Sequence, residues 1–291
     1  MTTTEIAAEL DCLDRLPPLP QVVTRLLGTL GRDDVSLDTI DGIILEDPLL
    51  AARILRSANS VAYAARVPAR TTRDALFRLG LAEVRRMALA LAVVDAVPPR
   101  PGKVSYEDFW VHSLGVARIS EEIARRARGR PPGAEPEGLF LAGLFHDVGL
   151  LVMINNYPEA LDEIRALSRH EGLRQFEAEI EVLGTDHGEL GARLAKHWQL
   201  PDYLVESIRG HHRTDRAWEP FRWHAAVVGA ADFLFSHEGH GDLGEALPLE
   251  MYEGIWDALG LEALGLQLDE SLELTREVAE VVRKGRLVLA P

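Results

Sequence analysis

Apolar residues recur three and four positions apart through nearly the whole of this chain, and strict alternation of apolar with polar residues is absent. That spacing gathers side chains on one face of an α-helix but scatters them over both faces of a strand. A chain built this way buries its apolar surface by packing helix on helix, so the expected fold class is all-α and a sheet-based architecture is disfavoured. Glycine and proline fall between the periodic runs, where helices must end. The pattern predicts helices from Gln21 to Leu30, from Leu37 with Ser36 as N-cap, from Pro48 to Asn59 with Asp47 as cap, and from Asp74 to Leu79, stopped by Gly80. Further helices are predicted at Ala82 to Val97, Asp108 to Ala127, Glu137 to Phe145, Pro158 to His170, Leu173 to Leu183, His187 to His197, Pro201 to His211 and Arg222 to His237.

Two interruptions are strong enough to mark boundaries. Val97–Lys103 (VPPRPGK) cannot continue a helix, and His237–Gly244 (HEGHGDLG) is polar and glycine-rich. They divide the chain into an N-terminal helical subdomain over residues 1–100, a helical core over 101–240 and a helical tail over 241–291. The subdomain opens on LPPLP at Leu16, a stiff extended entry. A formal net charge of -15 argues against a nucleic-acid backbone as direct partner. One cysteine, Cys12, rules out a disulfide within the chain and fits a reducing, cytoplasmic setting. The opening MTTTEIAAELD lacks the basic and apolar regions of a signal peptide. The longest apolar run, near Met87–Val97, carries Asp95 and ends at Pro98-Pro99, so no membrane span is expected.

The histidines are the candidate functional residues. His112 shares a helical face with Val116, Ile119 and Ile123, and His187 shares one with Gly191, Leu194 and Trp198. His146-Asp147 follows Leu139 and Gly143, His211-His212 closes a helix whose apolar face holds Leu204 and Ile208, and Asp232 lies between Val228 and Phe235. Each of these elements therefore turns a ligand-type side chain towards an apolar interior. Buried imidazoles and carboxylates must be paired, hydrogen-bonded or metal-bound. Nitrogen with oxygen donors, and no thiol nearby, suits a divalent ion or a pair of them: Zn, Fe or Mn. His170, His197, His224, His237 and His240 read as solvated or rim positions.

Several of these segments, taken in order, resemble the HDOD domain (HD-related output domain) over Leu16–Arg213. They are LPPLP, IILEDPLLAARILRSANSVAY at Ile43–Tyr63, ALFRLGLAEVRRMAL at Ala75–Leu89 and FWVHS at Phe109–Ser113. FLAGLFHDVG at Phe140–Gly149, LGTDHGELGARLAKHWQLP at Leu183–Pro201 and IRGHH at Ile208–His212 complete the series. The resemblance implies an N-terminal helical subdomain packed on a five-helix core of the HD type, with relatives among HD and HD-GYP phosphohydrolases. Carried over by residue, the HD-GYP metal-ligand pattern is complete: His112, His146, Asp147, His187, His211, His212 and Asp232. Asp108 stands where some such sites hold a further acidic ligand.

Two departures point away from catalysis. The lysine that follows HDxG in HD-GYP proteins is Leu150 here, and the GYP element is missing after the histidine pair, which reads HHRTDRAWEP. Leu150 removes a cation that would stabilise a phosphoryl transition state. The expected function is bacterial-type signal transduction through contacts with a signalling protein partner, with a metal-dependent phosphohydrolase acting on a phosphodiester or nucleotide as the alternative. No catalytic residue is assigned and no organic cofactor is implied. Arg53, Arg56 and Asn59, taken as exposed, are the candidate partner surface.

Overall fold

The computed structural model describes residues 20–29, 32, 34–59, 68–96, 106–127, 130–237 and 273–280. Among them there is no strand. The chain divides into two compact units, one over Pro17–Pro98 and one over Pro99–Ala279.

The first unit holds α1 (Gln21–Leu27), α2 (Leu37–Leu45), α3 (Pro48–Ala58), α4 (Thr72–Leu79) and α5 (Leu81–Ala96). Their starts follow local chemistry. The Ser36 side chain accepts the Thr39 N–H at 3.1 Å, and Asp47 accepts those of Leu49 and Leu50, both at 3.0 Å. Thr71 and Asp74 form a reciprocal capping box. Each such cap contributes roughly 1 kcal/mol. Val23, Leu26, Ile40, Ile44, Leu50 and Ile54 fill the core. Arg53 departs from expectation: it is buried, because it sits three residues after Leu50 on the face that packs inward. Arg56 and Asn59 are exposed. Asn59 also ties the chain locally, donating to the Ala69 carbonyl at 2.9 Å and accepting the Ala69 N–H at 2.7 Å.

The second unit contains α6 (Tyr106–Arg126), α7 (Pro136–Phe145), α8 (Val148–Asn156), α9 (Pro158–Glu171), α10 (Gln175–Leu183), α11 (His187–His197), α12 (Asp202–Gly210) and α13 (Arg222–His237). Helix α6 packs against α7 and α13, α11 against α8 and α12, α12 against α13, and α9 against α10. Helix α8 has no counterpart in the sequence reading, which ended one helix at Phe145 and began the next at Pro158. Val148 to Met153 are all buried, so the segment lacks the polar face on which a periodicity signal depends. Its apolar neighbour α7 extends the same run, making Pro136–Asn156 the stretch apolar and long enough to cross a membrane by composition; it is mostly buried inside this unit. Among the described residues it is the one stretch that meets this length and composition test, where the sequence reading expected no membrane span. Cys12, the Val97–Lys103 break and most of the 241–291 tail lie outside the described residues; 273–280 is helical.

Candidate metal centre

His146 and Asp147 occupy the two-residue link between α7 and α8, where the chain turns inside the core. His146 is fully buried and Asp147 nearly so. His112 comes from α6 and Asp232 from α13; His187 is the first residue of α11, and His211-His212 directly follow α12. The structure brings all seven together. They fall into two adjoining groups of donor atoms: Asp147, His187, His211 and His212 in one, and His112, His146 and Asp232 in the other. Asp108 is in neither group.

The carboxylate of Asp147 links them. Its Oδ1 lies 3.3 Å from His187 Nε2 and 3.6 Å from His211 Nε2. Its Oδ2 lies 3.2 Å from His146 Nε2 and 3.7 Å from His112 Nε2. In the three-donor group, His112 Nε2 is 3.0 Å from Asp232 Oδ1 and 3.3 Å from His146 Nε2. In the four-donor group, His187 Nε2 is 3.2 Å from His211 Nε2 and 2.9 Å from His212 Nε2. Two donors held tetrahedrally at zinc-like bond lengths stand about 3.3 Å apart. Imidazole nitrogens converging at this spacing suit a shared cation, since one N–H can serve only one of the facing lone pairs. The donor set therefore fits a divalent ion or a pair of ions.

The rings are fixed from behind. His146 Nδ1 donates to the Gly143 carbonyl at 2.8 Å and His211 Nδ1 to the Ile208 carbonyl at 2.7 Å, which leaves each Nε2 directed into the centre. The His212 ring stacks on Phe176, centroids 4.9 Å apart, and the Arg174 guanidinium lies over that phenyl ring, 4.4 Å from its centroid. Close helix approach sets the backbone. A Cβ on Gly149 would lie 1.9 Å from the His187 carbonyl oxygen, and one on Gly229 would lie 2.1 Å from that of His211. Only glycine lets α8 and α13 come so near the histidines they face.

The groups of the centre shift one another's proton affinities. Burial opposes charge on His146, but Asp147 and then Asp232 outweigh it and raise its pKa to about 10. Burial likewise opposes charge on His187, and Glu179 with Asp147 lifts its pKa well above the usual imidazole value. Asp147 and Asp232 are held well below the usual carboxylate range, against burial, by His146 with His187 and by His112 with His146 respectively. Burial and the neighbouring imidazolium charges push His211 down to about 4, and His212 is lowered too.

Two residues correct the sequence reading. His224, taken as solvated, is buried against Tyr203 and Phe221, with its pKa lowered to about 4 by burial. Glu179, not singled out from sequence, is fully buried and accepts the His187 Nδ1–H at 2.7 Å. Its signal was present: Phe176, Glu179 and Leu183 share a helical face, and an acid on an apolar stripe needs a partner.

A helical domain that closes on a buried cluster of histidines and aspartates is the class this fold and centre define. The chain belongs to the HDOD domain family, whose profile matches residues 16–214. It is similar to an HDOD domain protein of unknown function from Geobacter sulfurreducens (29% identity, TM-score 0.79), over 98% of this chain and 97% of that one. It is also similar to a candidate phosphohydrolase from Shewanella amazonensis SB2B (29% identity, TM-score 0.77), over 98% of each chain. A candidate signal transduction protein from Marinobacter aquaeolei VT8 shares the fold at 24% identity and TM-score 0.79, with 97% of this chain covering 61% of that one. An uncharacterized protein of Treponema pallidum (strain Nichols) is 23% identical over 231 residues, which are 79% of this chain and 44% of that protein. The chain thus spans less than half the length of that relative.

Proposed function

We propose that this chain is a regulatory HDOD module whose histidine–aspartate centre holds one or two divalent ions as a structural or sensory element, and whose output is a contact with a signalling protein. The observation that carries this reading is the burial of the donors. Six of the seven are buried, and the His212 side chain, at 17% exposure, offers the widest opening. A phosphodiester must reach the ions to be hydrolysed, and donors this enclosed support a structural or sensory role instead. Leu150, buried one turn into α8 where HD-GYP relatives carry lysine, supports the same conclusion, because it supplies no charge for a phosphoryl group.

His112, His146 and Asp232 would hold one ion and Asp147, His187, His211 and His212 the other, with Asp147 facing both. An ion there supplies Lewis acidity and a fixed positive charge. The side chains orient it: the Gly143 and Ile208 carbonyls set two rings, and Phe176 braces a third. The second reading, a metal-dependent phosphohydrolase, draws on the three-donor group, since three protein donors leave a coordination position open. The likeness to the Shewanella protein also favours it.

Elemental analysis of the purified protein, together with assays of cyclic dinucleotides, nucleotides and a generic phosphodiester after loading with Mn, Fe or Zn, separates the two. Bound metal without turnover is the expected result. Turnover that disappears in both His146→Ala and Asp147→Ala would overturn the regulatory reading. For the output surface, capture of a partner by the wild type and its loss in Arg56→Ala is expected; Arg56 is exposed, whereas Arg53 is not.

A further inference from the structure

The rings that enter the centre are not backed alike. His146 and His211 each lean on a neutral backbone carbonyl, and His112 Nδ1 has no hydrogen-bond partner. His187 alone of these leans on a carboxylate. One oxygen of Glu179 accepts both the His187 backbone N–H at 2.8 Å and its Nδ1–H at 2.7 Å. The other oxygen accepts the Gln175 side-chain N–H at 2.9 Å. Every oxygen of this carboxylate is thereby used, and none is left for solvent: Glu179 is 0% exposed.

A carboxylate in such a place is costly unless positive charge stands close to it. The charge must come through His187, either as a proton on the ring or as a cation beyond it. Gripping both the backbone and the ring of one residue also fixes the ring plane, so Nε2 has one direction, towards Asp147, His211 and His212.

We propose that Glu179 is a positioning residue that tunes one half of the centre only: it holds His187 for the four-donor group and gives that group the higher affinity for a divalent ion. The inference rests on the reading that the cluster binds metal. The two groups then differ in donor number, four against three, and in the charge behind them, because no carboxylate backs His112 or His146 through Nδ1. The four-donor position fills first, and the three-donor position fills second with a coordination site to spare.

The test is titration of the metal-free full chain with Co(II), followed by its visible absorption bands, and with Zn(II) by calorimetry. The wild type should bind in two steps of unequal affinity. Glu179→Gln, which keeps the shape and removes the charge, should weaken the tighter step about 10- to 100-fold and shift the cobalt bands of that step alone. Gln175→Met, a gentler change that frees one oxygen of Glu179, should weaken the same step by a smaller factor, and it decides the matter if Glu179→Gln fails to fold. If the wild type takes up a single ion, these variants must weaken that step. Equal weakening of both steps, or no change in either, overturns the role of Glu179 while leaving the metal reading intact. A wild type that takes up no ion overturns the metal reading and this inference with it.

Discussion

Alanine at Gly149 would place a methyl group where α8 and α11 leave no room. Its Cβ would fall 1.9 Å from the His187 carbonyl oxygen and 2.5 Å from the Gly191 nitrogen, whereas ordinary contact begins near 3.4 Å. Both obstacles are backbone, so no side chain can turn aside, and the helices must part by about 1 to 1.5 Å. Such a movement is comparable to the margin on which the centre depends. Asp147 lies two residues before Gly149, and its Oδ1 sits 3.3 Å from Nε2 of the histidine whose carbonyl is struck. Overpacking of this kind costs roughly 1–3 kcal/mol. Urea denaturation should show that loss in Gly149→Ala, and elemental analysis should show reduced ion content. Gly42→Ala is the matched control. A Cβ at Gly42, within α2, meets nothing inside 4 Å, so the change should stabilise the chain by about 0.5–1 kcal/mol through helix propensity alone. A Gly149→Ala protein within about 0.5 kcal/mol of wild type, with its ion content unchanged, would refute the argument that this contact sets the geometry of the centre.

Three further outcomes follow from the charges and donors. In the metal-free protein, His146 has a folded pKa near 10 against 6.5 in the free residue, so its contribution is complete below about pH 6.5 and is lost as pH climbs towards 10. His211 and His224 are shifted the opposite way, to about 4, so theirs is complete above about pH 6.5 and is lost as pH falls towards 4. The urea midpoint of chelated protein should therefore peak near neutrality, and a midpoint still rising at pH 9 would contradict this balance. Asp147→Asn should reduce ion uptake at both positions, whereas His112→Ala should affect the three-donor position alone; stoichiometry by elemental analysis distinguishes them, and an Asp147→Asn protein that loses one ion selectively would deny the carboxylate its linking role. Chelation should lower the thermal midpoint, because binding energy for the folded state is withdrawn; an unchanged midpoint in a protein shown to have lost its ion would contradict it.

Much of the centre was legible because helical periodicity reports a face. His112, His187 and Asp232 each shared a stripe with apolar residues, and a stripe that turns inward carries its polar member with it. The caps at Ser36 and Asp47 were equally readable, since they are formed within a few residues of chain. What escaped depends on contacts between distant segments. Helix α8 is buried from Val148 through Met153, more than a full turn, and so shows no polar face there. His224 is buried against Tyr203, a contact with a distant segment that no local pattern announces. Glu179 was obscured by Glu177 and Glu181 beside it, which make its helix read as a charged surface.

The placing of His146-Asp147 within Pro136–Asn156 bears on the chain before it folds. A newly made segment this long and apolar resembles those that enter a lipid bilayer. Asp147 falls near its centre, where an aspartate costs roughly 2.5–3.5 kcal/mol during insertion. Inside the finished domain, that carboxylate is offset by the imidazoles around it. In the nascent chain His187 and His211 have not yet been made, and the charge of Asp147 biases the segment against transfer into lipid while the rest of the domain is still being synthesised.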